Sequence, residues 1–279
     1  MTVVLALLSA LAYGVSDFVG GLTTRRLDVW TTAAFAQVVS LLVVITPAVL
    51  SDGSPTGTQL AWGALAGVGS AAGTMFLYRG LARGRMSVVA PISAVGSAVV
   101  PVAVAVLTGE RPAALAWVGV ACALPAIWLV SQAEHDVDAG AASTRTSVID
   151  GLLAGAGFGL LFVALGQVPE EGGLLPVVAM QAASSIVLVA AAYGVGNGLR
   201  WRRDAVAGPA AAGVLAAAAT VLFQLATQSG LLTVASVLTA LYPATTVLLA
   251  AAVLKERIAH RQAAGLALAV VAVALVAAS

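Results

Sequence analysis

The chain has 279 residues, of which 61% are hydrophobic and only 9% charged, with a net charge of +1. A water-soluble domain carries about 25% charged residues, so lipid must be the solvent for most of this surface. The near-neutral balance excludes the basic field that attracts nucleic acid.

One cysteine, Cys122, rules out an internal disulfide and a Cys-based zinc site. The two histidines, His135 and His260, fall in polar connections, and no HExxH, CxxC, DxDxDG or GxxxxGK[ST] pattern occurs. The expectation is therefore no metal, no cofactor and no direct nucleotide coupling.

A hydrocarbon core of ~30 Å takes ~20 apolar helical residues. That ruler places spans at 3–22, 30–50, 60–81, 86–107 and 112–131, then at 149–168, 173–195, 208–229, 233–254 and 259–278. Helices are required because lipid cannot satisfy backbone polar groups. Closed β-barrels need alternating strands, which runs such as AGLALAVVAVALVAA do not offer.

The first span begins MTVVLALLSALAYG, without a basic leader region, and stays apolar past Tyr13, so it reads as a membrane helix rather than a signal peptide. It carries Asp17, with Ser9, Tyr13, Ser16 and Gly20 on the same face. An intramembrane carboxylate costs ~2.5–3.5 kcal/mol on insertion scales and turns to a partner or to water. It could be a proton- or cation-coupling group, or a hook for an amine, or else an ion pair with Arg79 at the end of the third span.

The second span holds Gln37 and Ser40, and the third a polar stripe of Ser70, Thr74 and Tyr78 at i, i+4, i+8. The fourth holds Pro91, Ser93 and Ser97. Glu110-Arg111 follows it, and the polar stretch after the fifth span, EHDVDAGAASTRTS, has the composition of a linker. The sixth span contains Gly151, Gly155, Gly157 and Gly159, spaced for close helix packing, together with Phe158 and Phe162. Gln181 and Ser184 lie on the seventh. Thr220, Gln224, Thr227 and Gln228 form a second stripe on the eighth, and Ser236, Thr239, Tyr242 and Pro243 lie on the ninth. Glu256-Arg257 precedes the tenth.

The halves match. Residues 61–133 laid on 207–279 at an offset of 146 bring Gly67 onto Gly213, Thr74 onto Thr220, Gly84 onto Gly230, Glu110-Arg111 onto Glu256-Arg257 and Gly119 onto Gly265. With small loop slips, Tyr13-Gly14 falls on Phe158-Gly159 and Gln37/Ser40 on Gln181/Ser184. The division is 1–133, a linker at 134–147, and 148–279. Five spans per repeat force opposite orientations, and inverted repeats with a midplane site at their interface are a common transporter architecture.

LTGERPAALAWVGVACAL and LKERIAHRQAAGLALAV, each an apolar span, then GER or KER, then a glycine-containing span, resemble the EamA-type family of the drug/metabolite transporter superfamily. ARGRMSVVAPISAVGSAVVP and LLTVASVLTALYPATTVLLA resemble the segments that precede them. The resemblance covers essentially the whole chain. It implies an all-α integral membrane protein of ten helices in two inverted five-helix repeats. It also implies a central cavity lined by spans 1, 3, 4, 6, 8 and 9, and secondary transport, often export.

The expected cavity set is Tyr13, Ser16, Asp17, Ser70, Thr74, Tyr78, Ser93, Ser97, Thr220, Gln224, Gln228, Thr239 and Tyr242, with Pro91 and Pro243 as hinges because proline frees an upstream carbonyl. Interhelical glue is the competing role for the stripes, and the expected one for Gln37, Ser40, Gln181 and Ser184. Glu110 and Glu256 are expected to anchor a loop or a helix start.

These features point to a transporter in the cell membrane, not an enzyme. It would move a small metabolite or drug by alternating access, as a monomer or homodimer, with proton or cation coupling through Asp17 one option. Serine, threonine, tyrosine and glutamine around one acid suit amino acids, sugars or organic cations. A divalent-cation transporter is the alternative, disfavoured because a hard ion wants several carboxylates. An intramembrane enzyme would need clustered acids or histidines at a membrane face. Lysine and arginine crowd the odd-numbered connections, twelve against Arg111 alone in the even ones. The positive-inside rule then puts the odd connections in the cytoplasm and both termini outside. The family resemblance implies the reverse.

Overall fold

The computed structural model describes residues 1–24, 27–83, 86–131, 144–194, 198–199, 206–255 and 257–279, and of residues 78, 80–83, 86–87 and 144 the backbone alone. The linker stretch 132–143, Arg25, Arg26, Trp201 and Glu256 lie outside the described residues. All regular structure among those described is helical. In chain order it comprises α1 (Thr2–Thr24), α2 (Val29–Leu50), α3 (Gly57–Arg83), α4 (Met86–Leu107), α5 (Ala114–Val130) and α6 (Thr144–Gly166). After a short 3-10 turn (Glu170–Gly172) follow α7 (Leu175–Gly194), α8 (Ala207–Gln228), α9 (Leu232–Thr239), α10 (Tyr242–Val253) and α11 (His260–Ala277).

The chain is thus an all-α multi-pass membrane protein: among the described residues nine helices are long and apolar enough to cross a membrane, α9 and α10 together counting as one, and the shorter apolar α5 makes a tenth. At 1.5 Å per residue α5 is only about 26 Å long, a little under the ~30 Å hydrocarbon core. The largest overruns of the hydropathy limits are at helix starts: α3 begins at Gly57 rather than 60, and α6 at Thr144 rather than 149. Backbone hydrogen bonding carries a helix past the edge of the hydrocarbon, where polar Thr144, Arg145 and Thr146 end the hydropathy signal.

The ninth span is broken, which hydropathy could not show. Proline lacks an N–H, and its ring clashes with the carbonyl four residues back; for Pro243 that carbonyl belongs to Thr239. The chain tightens there, with Ala240 N donating to Ser236 O (2.9 Å) and Leu241 N to Leu238 O (3.2 Å), before α10 starts with Pro243 in its first turn. The corresponding α4 runs unbroken through both Pro91 and Pro101. Of the two expected hinges, then, Pro243 adjoins a real discontinuity while Pro91 sits buried inside a continuous helix.

The two sets of five spans interleave. α1 packs mainly on α8, with α9 and α10 next, whereas α6 packs on α3 and α4; α2 meets α7 and α5 meets α11. The contacts are reciprocal, as a two-fold axis demands. A Cβ on Gly67 would strike Met180 O at 2.2 Å, and one on Gly213 would strike Ala36 O at 2.3 Å. These are the same contact with the repeats exchanged. Gly119 against Val276 and Gly265 against Val130 repeat the relation at α5 and α11. Lipid gives helices no hydrophobic reason to associate, so such close backbone approach is the source of packing energy.

Candidate functional site

The 3.6-residue period of α1 places Tyr13, Ser16 and Asp17 on one face. That face borders a cavity of about 190 Å³ near the middle of the bundle. The volume is small beside the ~300–1,000 Å³ of drug-sized sites.

The lining falls into repeat-related pairs. At an offset of 145, Tyr13 answers to Phe158, Ser16 to Leu161 and Asp17 to Phe162. At 144, Ala36 answers to Met180 and Gln37 to Gln181. At 146, Ser70 answers to Ala216 and Thr74 to Thr220. The cavity therefore sits on the pseudo-two-fold axis. Its lining extends from mid-span toward the odd-connection ends, through Asp17 on α1, Ala33 on α2, Leu77 on α3 and Leu188 on α7.

Tyr13 and Thr220 join hydroxyls across 3.0 Å. Thr220 spends its one proton on Ala216 O at 2.8 Å, so Tyr13 is the donor and its phenol oxygen keeps its lone pairs for another partner. Ser16 donates to Ala212 O and Ser97 to Ala94 O, both at 2.8 Å. Tyr242 stands beside Tyr13, ring centres 6.4 Å apart. Asp17 is exposed, and no hydrogen bond or ion pair reaches its carboxylate among the described residues. Among the described residues it is the one acid in the lining, which contains no lysine, arginine or histidine.

Eight of the expected cavity residues line this space: Tyr13, Ser16, Asp17, Ser70, Thr74, Ser97, Thr220 and Tyr242. Four do not. Gln224 is buried with its Nε2 on Val168 O (3.2 Å), and Gln228 donates to Pro169 O (3.2 Å), so both tie α8 to the connection between α6 and α7. Thr239 is fully buried and reaches Ala6 O at 3.4 Å, and Ser93 is buried within α4 packing. The side chain of Tyr78 lies outside the described residues.

Gln37 and Gln181 line the cavity as well as acting as the interhelical glue the sequence led one to expect. They bond each other: Gln37 donates to Gln181, which donates to Ser40 Oγ at 2.6 Å. The missed signal was their repeat equivalence, because a residue that touches its own mate must lie on the axis. Phe158 and Phe162 wall the cavity rather than face lipid. Arg79 does not pair with Asp17. It pairs with Asp150 of α6, its Nε 3.0 Å from Oδ1, and lies 4.7 Å over the Phe76 ring.

At the opposite end, where the even connections and both termini gather, cross-repeat contacts close the bundle. Glu110 accepts from Leu232 N (2.6 Å) and Thr233 N (3.1 Å), capping the orphan donors of α9. Ser54 N donates to Glu171 O at 3.1 Å. Glu110 thus anchors a helix start, as its place in the sequence led one to expect.

A family model for the EamA-like transporter family matches residues 1–132 and 145–278. A protein solved by crystallography superposes at a TM-score of 0.78, with 15% identity over 99% of this chain and 96% of that one. At such identity the likeness speaks for the fold alone. Among curated proteins no match is found.

Proposed function

We propose a mechanism from one premise: the chain belongs to the EamA-like transporter family, within the drug/metabolite transporter superfamily. It carries a small metabolite across the cell membrane by alternating access, with residues 1–133 and 148–279 as the two moving repeats and 134–147 as the linker between them. The observation that supports this reading is the cavity on the pseudo-two-fold axis, lined by repeat-related pairs. A site on such an axis is reached equally from either side when the repeats exchange conformations.

The present conformation resembles one half of that cycle. The lining runs toward the odd connections, while Glu110, Gln224 and Gln228 hold the even end together. The break before Pro243 is the hinge, since it lies at mid-span where Tyr242 meets the cavity. Asp17 is the coupling or substrate-binding group, being ionisable, exposed and unpaired among the described residues. By the positive-inside rule the odd connections are cytoplasmic, and cargo entering from them leaves the cell.

The test begins with an untargeted comparison of metabolites in cells with and without the protein, and in cells carrying Asp17→Asn. Compounds whose distribution changes are then assayed in proteoliposomes at two pH values. Transport by the wild type that is lost or pH-insensitive in Asp17→Asn supports the reading. Transport that is unchanged by Asp17→Asn, or metabolite profiles that match without the protein, would overturn it.

A further inference from the structure

We infer that the cargo of this cavity is an amphipathic monocation, a protonated amine on an apolar, preferably aromatic, body. This rests on the transport reading of the same site and adds the chemistry of its substrate.

The repeat pairs carry the argument. Mates related by an exact two-fold would make opposite walls alike, and here they are not. α1 contributes Tyr13, Ser16 and Asp17, whereas α6 contributes Phe158, Leu161 and Phe162 at the equivalent positions. Each pair sets a polar group against an apolar one, and the single acid faces the place of a phenylalanine. Phe162 is itself buried, its ring 4.4 Å from Phe223, so this wall is a packed surface rather than a loose fringe. A cavity with one polar, acidic wall and one aromatic wall is complementary to a molecule with two unlike ends.

The sign follows from the hydrogen-bond inventory. Thr220, Ser16 and Ser97 have their protons committed to backbone carbonyls, and Tyr13 donates to Thr220. Beside them the Tyr13 oxygen and the Asp17 carboxylate keep acceptor capacity, the carboxylate with its charge, which an ammonium group with its N–H donors satisfies. The faces of Tyr13 and Tyr242 add cation–π attraction. An anion or the carboxylate of a zwitterion finds neutral donors there, such as the Tyr242 hydroxyl, beside a like charge at Asp17. Among the described residues the lining holds no lysine, arginine or histidine. At the mid-span start of α10 Pro243 has no N–H, and that of Ala244 is taken by Leu241 O at 2.9 Å.

The probes are 2-phenylethylammonium, 2-phenylethanol, phenylacetate and phenylalanine, which share one aromatic body and differ in charge. Binding to the full chain in lipid nanodiscs is measured by calorimetry, with empty nanodiscs subtracted for partitioning, and uptake of the same probes is followed in proteoliposomes. The ammonium should bind roughly tenfold or more tighter than the alcohol. Asp17→Asn should erase that preference, Asp17→Glu should keep it, and Phe162→Ala should weaken ammonium and alcohol alike. Each variant is accepted only if it elutes as a single folded species. Tighter binding of phenylacetate or phenylalanine, no binding of the ammonium, or a preference that survives Asp17→Asn would overturn the assignment. Asp17-dependent ammonium binding without uptake would refute the transport reading and leave the ligand class standing. Uptake of some other metabolite without ammonium binding would do the reverse.

Discussion

Arg79 of α3 is paired with Asp150 of α6, and the two partners differ sharply in exposure: the Asp150 side chain is 2% accessible and that of Arg79 42%. The pair joins one repeat to the other at the odd-connection end and leaves Asp17 free for the cavity.

That asymmetry predicts unequal costs. Arg79→Gln strands a buried carboxylate, and breaking a buried pair in this way costs ~3–5 kcal/mol. Asp150→Asn leaves a half-exposed guanidinium that still lies over Phe76 and can reach polar surroundings, at a cost of about 1 kcal/mol. Thermal unfolding in detergent should rank Arg79→Gln below Asp150→Asn, and the double variant above Arg79→Gln. Asp17→Asn should not move the midpoint by a comparable amount, and equal loss at Asp17 would contradict the pairing described.

The axial amides and the α8 amide should separate function from stability. Gln37→Leu and Gln181→Leu combined with Ser40→Ala remove every member of one hydrogen-bonded chain at once, which is close to neutral for folding, yet replace a polar cavity wall with an apolar one. Transport should fall by roughly tenfold or more in this variant with an unfolding midpoint near wild type. Gln224→Leu should act oppositely, losing about 1 kcal/mol of stability with its bond to Val168 O and keeping substrate binding. Reversed outcomes would place Gln224, not the axial pair, at the site.

Glu110 caps α9 with both carboxylate oxygens. Glu110→Ala should lower stability by ~1–2 kcal/mol, as loss of a charged cap does, and raise hydrogen exchange at Leu232 and Thr233. Glu110→Gln keeps one acceptor and should lie between. Unchanged exchange at those two amides in Glu110→Ala would show the cap to be dispensable.

Sidedness is settled by labelling. In a Cys122→Ala background, a cysteine introduced as Ala139→Cys should resist an impermeant maleimide in intact cells and react after permeabilisation. Ready labelling of intact cells would reverse the orientation inferred from the basic residues, and with it the proposed direction of transport.

The sequence by itself determined the solvent, the number of spans and the repeat, because these depend on composition and on one-dimensional pattern. Charge scarcity requires lipid, a ~30 Å core sets span length, and Glu110-Arg111 recurring as Glu256-Arg257 betrays the duplication. It also picked out the polar face of α1, since a helix fixes which neighbours share a side. Only the tertiary structure decided which polar residues meet. Gln37 and Gln181 are 144 positions apart, and only packing on the axis brings them together. Gln224 has a register indistinguishable from that of Thr220, yet lies one turn further from midplane and binds a connection instead. Asp17 and Asp150 were both within plausible reach of Arg79 by span position alone. The choice fell to Asp150 because α3 packs on α6 while α1 packs on α8. Helical period determines which face a residue occupies, but the partner of that face is set by close approach of backbones at glycine, a relation between segments that no single segment encodes.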